Sequence, residues 1–298
     1  MKKVTSVKEL EIIADEIRTE IIKMLVEAGS GHSAGALGMA DVFSALYFNI
    51  MNHNPKNPWA KGRDRLILSN GHICPLLYAS LAKSGYFPIS ELKTLRKINS
   101  RLQGHPHYHS APGIENTGGP LGQGISFATG IAYSLKMDKR KSKVFLSTGD
   151  GELDEGQCWE AFMFAGKNKL DNLIAFVDRN HIQIDGNTDN VMPLNPLGEK
   201  FKAFNWNVIE IDGNNMKEIL RGFEKAKKNK RKPTVVICNT VPGKGVKFME
   251  KKFEWHGKPP NKKQGIEALR QIVKDECKLR GLDHERCMVL LENSGVLE

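Results

Sequence analysis

Hydrophobic residues recur at two different spacings along the chain, and each spacing predicts one kind of element. From Val7 to Ala28 the apolar residues lie three or four positions apart, which is typical of an amphipathic helix, and Gly29 is expected to end it. In the middle of the chain, short unbroken apolar runs alternate with helical patterns. These runs predict strands at 65–69, 144–148, 173–178, 207–211 and 234–239.

Helical patterns separate several of these predicted strands, at 155–169 and 216–228 and towards the end of 115–137. Continuous apolar strands that alternate with helices are typical of a parallel sheet that is covered on both faces. The sequence therefore predicts an α/β fold, with a doubly wound, mostly parallel sheet and helices on both faces. We expect one large domain over residues 1–261, and a polar helical tail over 262–298 that packs on this domain or on a partner.

Composition excludes several classes of protein. With 40% hydrophobic and 26% charged residues, the chain differs from disordered, collagen-like and disulfide-scaffold proteins. No apolar stretch approaches the roughly 18 residues of a membrane-spanning helix, and the basic N-terminus lacks the apolar core of a signal peptide. We therefore expect a cytoplasmic protein without a membrane partner. The five scattered cysteines form no zinc-binding pattern and are expected to be reduced thiols.

The chain carries an excess of positive charge, with 44 Lys and Arg against 34 Asp and Glu, a formal charge of +10. The densest basic run, at 227–232, ends a helical pattern just before Pro233. Such a run could bind nucleic acid, but no aromatic residues are interleaved with it, and cations also suit the C-terminal end of a helix. We expect no nucleic-acid partner. A mildly basic surface also suits phosphorylated ligands.

Polar residues follow two of the predicted strands, at the point where each strand ends. Gly149, Asp150 and Gly151 follow the run VFLST, and Asn180 and Ile182 follow the run LIAFVD. In open α/β sheets, ligands bind beyond the carboxyl ends of the strands. A carboxylate, an amide oxygen and the backbone carbonyl of Ile182 are ligands that suit Mg²⁺ or Ca²⁺, and the two glycines allow a phosphate to approach the backbone. If the two strands are neighbours, the sequence predicts a site for a metal ion and a phosphate.

The segment GDGELDEGQCWEAFMFAGKNKLDNLIAFVDRNHIQIDG resembles the thiamine-diphosphate motif of transketolases. The resemblance continues, in the same order, through SGHSAGALGMADV, RLILSNGH, GHP and GGPLGQGISFATGIA, and it covers residues 14–257. It implies thiamine diphosphate as cofactor, with Mg²⁺ (or Ca²⁺ or Mn²⁺) held by Asp150, Asn180 and the carbonyl of Ile182. The residues that it implies in cofactor binding are His72, Gly119, Pro120, Leu121, Gly149, Asp150, Gly151, Glu152, Asn180 and His256.

Four histidines match active-site histidines of the family. His32, His72 and His105 each stand beside a glycine in a loop-like setting, and His256 resembles a further one. A single histidine is more often a surface or core residue than a catalytic one, so these assignments depend on the resemblance and on the loop placement. The implied reaction transfers a two-carbon ketol unit from a ketose phosphate to an aldose phosphate. Imidazoles suit the proton transfers that such a reaction needs near neutral pH.

Transketolases are usually longer chains of several domains, and this chain resembles only the first of them. The resemblance therefore implies the N-terminal subunit of a split transketolase, in the pentose phosphate pathway or in specialised sugar metabolism. Such a subunit would be active only with a separate C-terminal (pyrimidine-domain) subunit, as an α2β2 heterotetramer with Glu155 at the dimer interface. The alternatives are a deoxyxylulose-phosphate synthase-like or dehydrogenase E1-like subunit, and a non-catalytic assembly subunit that kept the fold.

Overall fold

The predicted α/β fold is confirmed by a computed structural model, which describes residues 3–294. Five parallel strands form one sheet in the order β1-β2-β3-β7-β6, and a short antiparallel hairpin, β4–β5, lies apart from it. The strands are β1 (Arg65–Leu68), β2 (Val144–Gly149), β3 (Leu173–Arg179), β4 (Ile182–Gln183), β5 (Gly186–Asn187), β6 (Asn207–Asp212) and β7 (Thr234–Asn239).

Two layers of helices cover the two faces of the sheet. One layer consists of α1 (Val7–Ala28), α2 (Ala34–Gly38), α3 (Ala40–Ala45), α4 (Cys74–Lys83), α9 (Met216–Lys228) and α10 (Lys262–Arg280). The other layer consists of α5 (Gln123–Met137), α6 (Gly156–Lys167) and α8 (Leu197–Ala203). The short α7 (Thr188–Val191) follows the hairpin, and α11 (His284–Asn293) follows α10.

The central strands are buried on both faces, which explains why they read as unbroken apolar runs. Phe145 and Phe176 pack into the core beneath α1, α3 and α9, whereas Leu146 and Val177, one position further along each strand, pack into the core beneath α5 and α6. Successive side chains of a strand point to opposite faces, so a strand between two helical layers needs an apolar residue at every position.

Several element boundaries agree with the sequence pattern. Helix α1 covers Val7–Ala28 as predicted, and Gly29 ends it in the left-handed conformation with φ +60°. Helix α6 is shorter than the predicted helix over 155–169, because the backbone of Lys169 turns to φ +51°. The hairpin β4–β5 and helices α7 and α8 had no counterpart in the prediction.

The tail contains two helices. Helix α10 packs against α1 through buried residues that include Ala268, Leu269 and Ile272. The expectation that all cysteines are reduced thiols is wrong for Cys277 and Cys287, which form a disulfide between α10 and α11. The chain reverses between the two helices and brings their Cα atoms to 5.7 Å, a proximity that sequence spacing does not reveal. The domain boundary at 261/262 stays a prediction.

Within residues 3–294, no helix is long and apolar enough to cross a membrane.

Candidate functional site

The carboxyl ends of the parallel strands surround a cavity of about 230 Å³. All of the predicted site residues except Pro120, which is exposed outside the cavity, line its wall. The sequence analysis missed three further lining residues, Asp178, Gln183 and Ile184. Those that it predicted and the structure brings together are His32, His72, His105, Gly119, Leu121, Gly149, Asp150, Gly151, Glu152, Asn180, Ile182 and His256.

Asp150 and Asn180 lie at the ends of two neighbouring strands, since β2 pairs with β3 and Gly149 stands opposite Asp178. The Asp150 carboxylate accepts hydrogen bonds from the backbone N–H groups of Gly151 and His181, both at 2.8 Å. The Asn180 amide donates to Asp178 Oδ2 at 2.8 Å, and its oxygen accepts from the Ile182 N–H at 3.0 Å. Both side chains are therefore held in one orientation, with oxygen lone pairs left over for a cation.

Arg179 was missed by the sequence analysis, although it is the last residue of β3. Its guanidinium lies 3.3 Å from Asp150 Oδ2 and also donates to Thr188 Oγ1 at 3.1 Å, and its side chain is 3% exposed. A second contact, at 3.2 Å, joins it to Asp189 at the surface. The one signal in the sequence was a charged residue at the end of a buried strand, where charged residues are rare unless they are paired.

Three buried carboxyl groups line the cavity, those of Asp150, Glu152 and Asp178. Of these three, Asp150 forms an ion pair with the buried guanidinium of Arg179. Burial raises the pKa of Asp150 and of Glu152, and burial together with the charge of Asp150 raises the pKa of Asp178 to about 7, although a hydrogen bond from Thr240 opposes the shift. A bound cation would favour the ionised forms.

The candidate ligand set has an unusual composition. Among residues 3–294, no three His, Cys, Asp or Glu side chains come together as a metal-binding group. The set instead combines the carboxylate of Asp150 with the amide oxygen of Asn180 and the carbonyl of Ile182, all beside the cavity. Such a set suits a hard cation that completes its coordination with phosphate oxygens and water.

Four histidines form a cluster in the wall of the same cavity. They come from four separate segments of the chain, and the distances between ring centroids are 5.2 Å from His32 to His72, 6.2 Å from His32 to His105, 5.8 Å from His32 to His256 and 5.0 Å from His72 to His256. The loop of His72 approaches another loop closely, because a Cβ on Gly71 would lie 3.0 Å from Gly118 Cα. A side chain at position 71 would push the two backbones apart by a few tenths of an ångström, so glycine suits this approach.

Burial keeps the four imidazoles neutral. Burial lowers the pKa of His32 to about 4, and the positive charges of the neighbouring His256, His105 and Arg96 add to the shift. Burial also lowers the pKa values of His72, His105 and His256. The Nδ1 atoms of His32 and His256 are buried and have no hydrogen-bond partner among the residues described. Buried polar atoms normally have partners, so these two nitrogens indicate a site built to receive a polar ligand.

The lowered pKa of His32 predicts a change of stability with pH. An unfolded histidine titrates near 6.5, whereas the folded His32 titrates at about 4, so the unfolded chain binds more protons between these values. The free energy of unfolding should therefore fall as the pH falls from 6.5 to 4. We expect His32→Asn to make this fall shallower in urea titrations at several pH values. The exposed His107→Asn is the control, and equal slopes for His32→Asn and wild type would count against the prediction.

Known proteins resemble this chain over most of its length. A family described as "Transketolase, thiamine diphosphate binding domain" matches residues 10–278. The chain is 43% identical, over 90% of its length and 97% of the relative's, to the 6-deoxy-6-sulfo-D-fructose transketolase subunit SqwG of Clostridium sp. (strain MSTE9). It is 39% identical, over 89% of its length and 94% of the relative's, to one of the subunits of the apulose-4-phosphate transketolase of Phocaeicola vulgatus.

A solved structure shows the same fold. Transketolase from Campylobacter jejuni superimposes with a TM-score of 0.84 at 33% sequence identity, over 96% of this chain and 46% of that one. The chain thus spans about half the length of this solved transketolase, and it corresponds to the domain that the family description assigns to thiamine-diphosphate binding.

Proposed function

This chain belongs to the transketolase family, and from that premise we propose that it is the thiamine-diphosphate-binding subunit of a two-subunit enzyme that transfers a two-carbon ketol unit from a ketose to an aldose. The observation that carries the proposal is the cavity at the sheet edge, whose wall combines the candidate metal-ligand residues with a cluster of buried imidazoles. The named relatives favour transketolase over the alternatives of a synthase or dehydrogenase subunit.

We propose that Asp150, Asn180 and the carbonyl of Ile182 hold Mg²⁺, or Ca²⁺ or Mn²⁺ in its place. The carboxyl groups of Asp150 and Asp178 are buried in the cavity wall, and a divalent ion beside them would favour their ionised forms. We assign the imidazole of His72 as a donor to the diphosphate, and we propose that Gly151, whose N–H donates to Asp150, lets a phosphate approach its backbone closely. Thiamine diphosphate, when bound, supplies the centre that stabilises a carbanion.

The imidazoles have the properties that the proton transfers require. His32 and His256 each offer a buried nitrogen that has no hydrogen-bond partner within residues 3–294, and His105 lies in the same cluster. Because burial lowers their pKa values, these side chains are neutral at pH 7, and a neutral imidazole can donate a proton through one nitrogen and accept one through the other. We propose that they bind the substrate hydroxyl groups and transfer protons there.

An exposed apolar surface supports the proposed partner subunit. Neighbouring helices α5 and α6 expose large hydrophobic side chains away from the sheet, and the rings of Tyr133 and Phe164 pack at 5.6 Å. Contiguous apolar patches of this kind mark interaction sites. The exposed residues are Phe127, Tyr133, Met137, Met163 and Phe164, and they are called the α5–α6 face below. We propose that a separate C-terminal subunit binds there, in an α2β2 assembly.

The names of the relatives suggest the class of substrate. One acts on 6-deoxy-6-sulfo-D-fructose and another on apulose 4-phosphate, both of which are ketoses that carry an anionic group. The net charge of +10 favours anionic substrates in general. We therefore propose a ketose with a phosphate or sulfonate group as the donor and an aldose phosphate as the acceptor. The pathway and the cytoplasmic location stay predictions.

A ketol-transfer assay tests this proposal. The full chain is mixed with the C-terminal transketolase subunit of the same organism, thiamine diphosphate and Mg²⁺, and offered a ketose phosphate, 6-deoxy-6-sulfo-D-fructose or apulose 4-phosphate with an aldose phosphate acceptor. We expect turnover of at least one donor, and none when thiamine diphosphate is left out. Absence of turnover with every donor, together with no calorimetric binding of the cofactor, would contradict the proposal.

A further inference from the structure

Glu152 is a buried carboxylate with four hydrogen-bond donors around it. Its Oε1 accepts from the N–H of Gly122 at 2.8 Å and from the hydroxyl of Ser69. Its Oε2 accepts from the hydroxyl of Thr148 at 2.7 Å and from the N–H of Gly149 at 3.0 Å. The side chain is 3% exposed and lines the cavity, but its oxygens are directed to these donors.

The four donors come from three segments that are far apart in the sequence, and each segment leads directly to residues of the site. Ser69 follows β1 directly and stands three residues before His72. Gly149 ends β2 and stands immediately before Asp150. Gly122 follows the lining residue Leu121 and precedes the start of α5.

The segments fit together closely at this point. A Cβ on Gly124, in the first turn of α5, would lie 2.6 Å from Ser69 Cα, so the helix start and the end of β1 are in direct backbone contact. Gly122 has φ +80°, a conformation that glycine adopts readily and that directs its N–H to Glu152. Glu152 is thus the side chain that joins all three segments.

We propose that Glu152 is a positioning residue, whose carboxylate holds the loop of His72, the loop of Gly119–Leu121 and the strand end before Asp150 in the one arrangement that accepts the cofactor. This inference rests on the proposed function and deepens it. Both oxygens of a carboxylate accept two hydrogen bonds each, and all four places are used here. A glutamine has the same shape, but its NH₂ group cannot accept hydrogen bonds. Two of the four donors would therefore face another donor and lose their acceptor.

The test is the affinity of the full chain, together with its C-terminal subunit, for thiamine diphosphate in the presence of Mg²⁺, measured by calorimetry. We expect Glu152→Gln to weaken binding by about 10–100-fold, the size of effect that supporting residues outside the ligand shell have at metal sites. Thermal unfolding of the same samples separates loss of affinity from loss of fold.

Asp64 provides the matched control. Its carboxylate is also buried and accepts two backbone N–H groups, from Asn52 and Lys143, each at 2.8 Å. Asp64 joins the amino ends of strands β1 and β2, whereas Glu152 joins the carboxyl ends of the same two strands. We expect Asp64→Asn to lower the unfolding temperature and to leave the cofactor affinity at the wild-type value.

Two milder variants keep the inference testable if Glu152→Gln does not fold. Ser69→Ala and Thr148→Val each remove one donor, and both should weaken cofactor binding; Ser69→Ala should add little to Glu152→Gln, because both changes break the same contact. Wild-type affinity in Glu152→Gln, or in both milder variants, would overturn the inference, as would an equal loss in Asp64→Asn. A wild-type chain that binds no cofactor would instead overturn the proposed function.

Discussion

Replacing Asp150 with alanine is expected to abolish Mg²⁺-dependent binding of thiamine diphosphate. The change removes the carboxylate of the proposed metal site and leaves Arg179 without its buried partner. The loss of affinity should exceed the about 10–100-fold that removal of an outer-shell partner costs. Calorimetry on the enzyme reconstituted with its C-terminal subunit measures it. Because a broken buried ion pair also costs about 3–5 kcal/mol of stability, Asp150→Asn, which keeps the shape, should be measured alongside.

Asp189→Ala is the control for this prediction. Asp189 contacts the same guanidinium at 3.2 Å, but it is half exposed and does not line the cavity. We expect the cofactor affinity of Asp189→Ala to stay near the wild-type value. Unchanged affinity in both Asp150 variants would exclude Asp150 as a metal ligand.

The second prediction is that ketol transfer requires the partner subunit. The purified chain alone should show no turnover, and activity should appear when the C-terminal subunit is added, because the chain matches only the thiamine-diphosphate-binding domain of longer transketolases. Steady-state kinetics with increasing partner concentration measures the effect. Full ketol transfer by the chain alone would contradict it.

The α5–α6 face gives this prediction a structural control. Phe164→Ser removes a half-exposed ring from the face, and Val289→Ser makes a similar change on α11, away from it. We expect Phe164→Ser to raise the partner concentration needed for half-maximal activity, since buried aromatic residues dominate the energy of interfaces. Val289→Ser should leave that concentration unchanged.

The sequence predicted those parts of the fold that depend on local periodicity. Helix α1 and strand β7 have the predicted bounds, because a buried stripe and a continuous apolar run are visible in the order of the residues. The hairpin β4–β5 was not predicted, since each of its strands has two residues and no pattern can be read from so few.

The sequence predicted most of the residues that line the candidate site, but it did not predict the contacts between their side chains. Asp150 and Asn180 could be paired because parallel strands end at one edge of a sheet. The contact between Arg179 and Asp150 depends on how a side chain folds back in three dimensions, and so does the inward direction of Glu152. The resemblance to transketolases assigned Glu152 to cofactor binding, whereas its carboxylate is occupied by donors from the chain itself.

The order of the strands has a consequence for folding during synthesis on the ribosome. Strand β7, the last of the sheet to be synthesised, lies between β3 and β6, so β6 has no neighbour to pair with until residue 239 has emerged. Until then the edge of the apolar strand β3 and the strand β6 remain unpaired, a state that favours aggregation. Nascent chains halted before Thr234 has emerged from the ribosome should therefore depend on chaperones far more than chains halted after Asn239 has emerged.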